Sequence, residues 1–317
     1  MTALGASPST DRIPHEITPQ SAGVPGTVDA LARHLASLDL AGLLARHGGL
    51  LLRGFAVTEA ALPDLLPELL PERLAYVHGN TPRTKVGAGL YTSTEYPPEY
   101  AISMHNELSY AASWPARLLF CCVQPAATGG ATPLLDSAAW LAALDPALRE
   151  EFRGGLCYRQ YLHGGRGLGK SWQATFETED RDEVDRLLGA AGTEWEWTSG
   201  GALRTRALRP AIVEHPVTGA ELWFNQADQW HPATLGEETM RELAAIVPAD
   251  ELPQSVTFAD GRPIPDAYVT EIRDLGLKLA LDVAWREHDL LLIDNMALAH
   301  GRRPFTGRRR VLVSMSR

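Results

Sequence analysis

Cysteine is scarce in this sequence. Only Cys121, Cys122 and Cys157 carry a thiol, an odd number with two of them adjacent inside an apolar run. No disulfide framework or zinc-ligand spacing can be built from that set, and the reducing cytoplasm is the expected compartment. Positive charge is also short: 29 Lys and Arg stand against 39 Asp and Glu, a formal charge of −10 and a pI near 5.5. A nucleic-acid binder normally carries a basic stripe that neutralises phosphates, so nucleic acid is excluded as an expected partner. No window reaches the roughly 18 apolar residues of a membrane span, and no basic-then-apolar leader precedes Gly23. Glycine fingerprints after a strand, a Gly-x-x-x-x-Gly-Lys loop, internal repeats and low-complexity linkers are all missing, which removes the nucleotide-binding α/β folds. Small molecules and proteins remain as partners.

What is present is apolar patterning over an ordinary globular composition, 45% hydrophobic and 21% charged. Residues 1–20 are polar and proline-punctuated and read as an N-terminal arm; residues 21–317 read as a single domain. Helices are expected over 27–38 behind a Thr27 N-cap, over 59–73 with Pro63, Pro67 and Pro71 interrupting, and over 137–152, 180–188, 236–247 and 266–282. Continuous apolar runs at 50–55, 117–123, 289–294 and 310–315 suit buried strands, the last two flanking a loop that holds His300. Residues 210–213 and 221–224 bracket the turn sequence His215-Pro216-Val217-Thr218-Gly219 as a hairpin. The Gly- and Pro-rich stretch 79–103 predicts a long irregular segment, of the length used for lids and binding loops, leading into His105. Many short strands and distant segments that must meet predict a mainly β fold with flanking helices, a double-stranded β-helix of the jelly-roll, cupin-like kind.

The chemistry centres on Met104-His105-Asn106-Glu107-Leu108. In an extended strand His105 and Glu107 leave the same face and reach one ion together. His300 would complete a two-histidine, one-carboxylate set, which occupies one face of an octahedral metal and leaves the other for substrate and oxygen. Among ten histidines and 39 acidic residues about one His-x-Asp/Glu triplet arises by chance, so the triplet needs context. Arg308-Arg309-Arg310 opens the final apolar strand. Such a run is usually a solvated face, but strand alternation separates Arg310, Leu312 and Ser314 from Arg309, Val311 and Val313, so one arginine points inward. An inward guanidinium requires an anion, and a carboxylate matches its fork. A dicarboxylate could chelate the metal at one end and meet the arginine at the other, with Thr132 adding a hydroxyl donor.

His105-x-Glu107, Thr132, His300 and Arg310, together with Leu51-Leu52-Arg53-Gly54-Phe55, Gly129-Gly130-Ala131-Thr132, the His215 turn and Trp223-Phe224-Asn225-Gln226, resemble the taurine dioxygenase and clavaminate synthase-like group of iron(II)- and 2-oxoglutarate-dependent oxygenases. The resemblance spans nearly the whole chain, with the segments in family order. It implies a double-stranded β-helix, His105, Glu107 and His300 as Fe(II) ligands, and Arg310 with Thr132 as holders of the distal carboxylate of 2-oxoglutarate. Arg309 takes that place if the strand register slips by one. It also implies O2 as co-reactant, oxidation of 2-oxoglutarate to succinate and carbon dioxide, and hydroxylation of an unactivated C–H bond. Halogenating relatives lack the carboxylate ligand, so Glu107 implies hydroxylation or desaturation. Ser314, four residues beyond Arg310 where the taurine enzyme has a second arginine, implies a substrate other than taurine.

Within that group the chain is most similar to the syringomycin-pathway-type amino-acid hydroxylases of antibiotic and related natural-product biosynthesis. This implies an amino-acid-like substrate, free or tethered to a peptidyl carrier protein. Tyr91, Arg159, Gln173, Asn225, Gln226 and Trp230 are the substrate-pocket candidates, with core packing the competing reading for the aromatics. His231 is a weaker pocket candidate; His215 and His288 need no ligand role, and the cysteines read as small buried hydrophobes. The alternatives are a desaturase or other oxidative tailoring enzyme acting on a small carboxylic acid, and a non-catalytic jelly-roll metal-binding protein. A zinc hydrolase with the same three ligands would leave Arg310 and Thr132 unexplained.

Overall fold

The apolar runs around Leu50–Leu52, Leu118–Cys122 and Leu290–Ile293 are apolar throughout because both of their faces are covered. In the computed structural model, which describes residues 14–74, 85–87, 89–93 and 96–317, they belong to a seven-stranded sheet. Its order is 15–17, 49–52, 290–294, 117–124, 310–316, 90–92 and 85–87, antiparallel except for the parallel first pair. Leu50, Leu52, Leu119, Cys121, Leu290, Leu292 and Leu312 pack outward on the helices Val28–Ala36, Leu40–His47 and Leu62–Leu69. The alternate residues Leu51, Phe120, Cys122, Leu291, Ile293, Val311 and Val313 face inward. Each such side chain contributes about 1.5–3 kcal/mol by leaving water.

The inward layer meets Leu134, Val283 and Leu298 from a second, antiparallel sheet in the order 281–283, 132–136, 298–302 and 102–105. The opposite face of that sheet, with Met104, Leu135 and Ala299, packs on Trp140, Phe152, Val269 and Ile272 of flanking helices and on Tyr158 and Val256 of a third sheet. That sheet runs 194–197, 203–209, 156–162, 254–258. The arrangement is the expected jelly roll, two facing sheets with helices outside.

Several elements differ from expectation. His15–Ile17 pairs in parallel with Leu50–Leu52, so the end of the segment read as an arm belongs to the main sheet; residues 1–13 lie outside the described residues. Only Ile17 of that strand is buried, too short a signal to read from pattern. The helix expected over 137–152 is two helices, Ser137–Ala143 and Pro146–Arg153. Asp145 restarts the second by accepting from the backbone of Ala147 at 2.8 Å, with Pro146 in the first turn, where its missing N–H costs nothing. The stretch read as irregular contains the short strands Lys85–Gly87, Leu90–Thr92 and Ile102–His105, while 79–84, 88, 94 and 95 lie outside the described residues. His300 sits inside the strand Leu298–Arg302, not in a loop.

Candidate metal centre

His105 and His300 face each other as direct partners on neighbouring antiparallel strands, their ring centroids 4.3 Å apart. His300 shares its face with Leu298, which packs between the two main sheets, so the imidazole points into the interior. The pairing slips between His300 and Arg302. Gly301 occupies the slip, where a Cβ would come within 2.6 Å of the Ile102 carbonyl oxygen; only glycine permits that approach.

Glu107 arrives differently from expectation. The strand ends at His105, and Glu107 lies in the turn that follows, with Leu108 in the left-handed region at φ 57. Alternation therefore does not aim the carboxylate. Asn295, fully buried, holds it instead: its Oδ1 accepts the Glu107 N–H at 2.7 Å and its Nδ2 donates to the Glu107 carbonyl at 3.0 Å. Asn106 braces the same turn by donating to the Asn295 carbonyl at 2.7 Å and to Ser137 Oγ at 3.1 Å. Gln226 Nε2 donates to the Asn106 carbonyl at 2.8 Å. Apart from the Asn106–Ser137 bond, these contacts join residues more than 100 positions apart and leave no local trace in sequence.

The resulting cluster brings one ligand atom from each of His105, Glu107 and His300 within 4.8 Å of one another, with His300 Nε2 3.9 Å from Glu107 Oε2. His105 Nδ1 lies 2.9 Å from the Ser103 carbonyl, which can only accept, so Nδ1 carries the proton and Nε2 keeps its lone pair for a metal. Two imidazoles and one carboxylate suit iron(II), and their grouping on one side leaves open positions.

The cluster borders a cavity whose wall includes Phe120, Thr132, Val313, Arg302 and Arg309. Arg309 is the arginine that points inward. Its Nε donates to the Gly130 carbonyl at 3.1 Å and a terminal nitrogen donates to Ser93 Oγ at 3.3 Å, and among the described residues it has no carboxylate partner. Burial, reinforced by the nearby positive charge of Arg302, pulls its guanidinium down to about 10. Arg310, expected to hold the cosubstrate, lies on the opposite face and pairs with Glu59 at 2.7 and 3.2 Å. The expectation failed because both faces of this strand are buried: Leu312 and Ser314 look as inward as Val311 and Val313 when helices cover the outer side. Ser314 likewise faces outward and donates to the Gly89 carbonyl at 2.7 Å. The residue four beyond the inward arginine is Val313, so the cavity wall is apolar at that position.

Thr132 lines the cavity as expected. Its Oγ1 accepts from Trp285 Nε1 at 3.0 Å, which leaves the hydroxyl proton for another acceptor. Sequence reasoning missed Trp285, Asn295 and Arg302. Arg302, two residues after His300 on the same strand, was visible as a cavity-face position once His300 was placed in that strand.

The substrate candidates are mostly structural. Tyr91 packs in the core between the sheets, beside Val313. Arg159 is exposed on the third sheet, and Gln173 sits on the short helix Trp172–Phe176 next to an outer cluster; neither lines the cavity. Asn225 closes a turn, donating to the Ala211 carbonyl and accepting from Ala227, both at 3.0 Å. Gln226 braces the Glu107 turn, and Trp230 is buried against Tyr110 and Tyr158. His231 donates to the Ile264 carbonyl at 3.1 Å, away from the cavity wall. His215 accepts from the Val217 and Thr218 amides at Nδ1, so its Nε2 donates to Asp294 at 3.1 Å.

Comparison with known proteins agrees with this geometry. The family model described as Taurine catabolism dioxygenase TauD, TfdA family matches residues 11–315. The dapdiamide synthesis protein DdaC of Enterobacter agglomerans is 37% identical over 275 residues, 86% of this chain and 83% of its own length. A clavaminate synthase-like protein of Arabidopsis thaliana is 31% identical over 95% of this chain and 93% of its own length. Among solved structures, the PvcB protein of Pseudomonas aeruginosa covers 95% of this chain and 84% of its own with a TM-score of 0.54 at 18% identity, a likeness of fold. No helix among the described residues is long and apolar enough to cross a membrane. The chain belongs to the TauD, TfdA dioxygenase family and is an iron- and 2-oxoglutarate-dependent oxygenase.

Proposed function

We propose that this enzyme hydroxylates an unactivated C–H bond of an amino-acid-like small molecule, with His105, Glu107 and His300 holding iron(II) and Arg309, assisted by Thr132, holding the distal carboxylate of 2-oxoglutarate. One observation carries the reading: the three ligand atoms lie within 4.8 Å of one another, and the cavity that His105 and His300 line also holds a buried arginine with no carboxylate partner among the described residues. A buried guanidinium is stable when an anion meets it, and a dicarboxylate anchored at the metal supplies that anion at the required depth. When bound, iron(II) and 2-oxoglutarate supply the oxidising power from O2.

The chain's own residues do the rest. Ser103 fixes the His105 tautomer, Asn295 fixes the Glu107 backbone, and Trp285 leaves the Thr132 hydroxyl proton directed away from itself. Phe120, Val313 and Ile102 form apolar walls that keep water from the reacting region. The relative's role in dapdiamide synthesis supports a natural-product pathway, and a free or carrier-protein-tethered amino acid is the substrate class we assign. The three cysteines are all buried and unbridged, which supports a cytoplasmic setting. Residues 14–317 are read as one double-stranded β-helix domain, the strand His15–Ile17 included.

Anaerobic addition of iron(II) and 2-oxoglutarate tests the assignment. The expected result is a weak visible charge-transfer band that disappears in His105→Ala and weakens in Arg309→Ala at equal 2-oxoglutarate. No band from the native protein, or one that persists unchanged in His105→Ala, overturns it. Mass spectrometry of amino acids and their carrier-bound thioesters should then reveal a gain of about sixteen mass units, one inserted oxygen atom.

A further inference from the structure

Arg302 is buried to 5% exposure in the wall of the cavity, yet its terminal nitrogens serve a distant stretch of backbone. One donates to the Tyr96 carbonyl at 2.9 Å; the other donates to Pro97 at 2.7 Å and to Tyr100 at 2.9 Å. Its Nε is buried with no partner, and among the described residues no carboxylate pairs with it. The segment it grips lies between Ser93 and Ile102, both of which line the cavity, and Tyr96 and Tyr100 are 48% and 57% exposed. The segment is thus a strap tied to one cavity-wall residue, Arg302, and followed by another, Ile102, with its tyrosines reaching solvent. Phe305 supplies a second fastening, its N–H donating to the Pro98 carbonyl at 2.9 Å.

Phe305 also links the strap to the inward arginine. Its ring centroid is 5.1 Å from the Arg302 guanidinium carbon and 5.7 Å from that of Arg309, and Arg302 lies 5.8 Å from the ring of Tyr96. Two like charges face one cavity with an aromatic ring against both, an arrangement that favours an anion between them and repels without one.

We propose that Arg302 is a positioning residue that fastens the Tyr96–Tyr100 strap over the mouth of the metal cavity, and that through Phe305 the strap tightens when the cavity takes up the distal carboxylate of the cosubstrate. The coupling rests on Arg309 binding that carboxylate; the fastening does not. The strap then orders the tyrosine surface that an incoming carbon substrate meets only after the cosubstrate is in place.

Hydrogen–deuterium exchange of the full chain loaded with Mn(II), with and without 2-oxoglutarate, reads this directly at the amides of Tyr96, Glu99, Tyr100 and Ala101. In the native protein 2-oxoglutarate should slow these amides by about threefold or more, a shift in local opening. In Arg302→Gln they should exchange about tenfold faster before any ligand and no longer respond to it at saturating 2-oxoglutarate, while the amides of the core strand 117–124 exchange as in the native protein. Native-like exchange in Arg302→Gln overturns the fastening, and a native strap indifferent to bound 2-oxoglutarate overturns the coupling. If Arg302→Gln does not fold, Phe305→Leu decides: strap exchange should lose its response to 2-oxoglutarate, and a full response overturns the proposal. Failure of 2-oxoglutarate to bind the native Mn(II) protein would sink the cosubstrate reading instead, and the ligand-free comparison would still decide the fastening.

Discussion

Asn295 satisfies both backbone polar groups of Glu107, accepting its N–H at 2.7 Å and donating to its carbonyl at 3.0 Å, while also donating to the Pro115 carbonyl at 2.8 Å. The carboxylate ligand is thus placed by an amide 188 residues away rather than by the strand that carries His105. Replacing Asn295 by alanine leaves three buried backbone groups without this partner, each costing about 1–3 kcal/mol. Metal affinity should fall roughly 10–100-fold, the range for groups that orient ligands. Titration with Mn(II) alongside urea unfolding separates the two effects. Unchanged metal affinity in a destabilised but folded Asn295→Ala protein would mean that Glu107 finds its place without the clamp.

The two adjacent arginines have opposite assignments. Arg309→Ala removes a buried charge from the cavity and should raise the 2-oxoglutarate dissociation constant about 100-fold, the scale of truncating one partner of a buried charge pair. Arg310→Ala breaks a pair with Glu59 whose side chains are 40% and 35% exposed, worth at most about 1 kcal/mol, and should leave 2-oxoglutarate binding within about twofold of native. Calorimetry on the two variants decides; the reverse ranking would restore the opposite strand face as the inward one.

That ranking marks where the sequence was legible. The jelly roll, His105, Glu107, His300 and Thr132 followed from motifs whose order and spacing constrain one another, and those residues do converge. The inward arginine was not legible, because a strand sandwiched between a sheet and a helical layer carries Val311 and Val313 on one side and Leu312 on the other, and apolar alternation then has no sign. Asn225, Gln226 and Trp230 were read as substrate contacts because polar and aromatic residues near a motif look functional. Gln226 and Trp230 meet the Asn106 carbonyl and the Tyr158 ring, which lie far off in sequence, and Asn225 meets the Ala211 carbonyl across the hairpin; these partners become visible only in the fold.

Trp285 and Thr132 form a pair that neither residue announced. The indole N–H occupies one lone pair of the Thr132 hydroxyl at 3.0 Å, so the hydroxyl proton is the group left to donate. Trp285→Phe should weaken 2-oxoglutarate binding about 3–10-fold, equivalent to one ordinary hydrogen bond. Thr132→Val should cost a similar amount, and the double variant should bind no worse than Thr132→Val alone, since the indole acts through that hydroxyl. Additive losses in binding titrations would mean that Trp285 contributes by filling space in the wall.

Asp228 predicts a pH dependence of stability. Its side chain is buried at 2% exposure, and burial pushes its carboxyl up to about 6 despite opposing hydrogen bonds from Ser103 and the Gln229 backbone. Because the folded value lies above the unfolded value near 3.9, the native state holds the proton more tightly than the unfolded chain. The resulting stabilisation is complete below about pH 4 and is lost as pH rises through about 6, a total of about 3 kcal/mol for a shift of about two units. Asp228→Asn has no proton to lose. The free energy of native unfolding minus that of Asp228→Asn should therefore fall by up to about 3 kcal/mol between pH 4 and pH 7 and then level off. Urea unfolding of both proteins without metal measures it, since metal binding carries its own pH dependence. A difference that stays flat across that window would mean that the Asp228 carboxylate ionises in the folded protein as readily as in water.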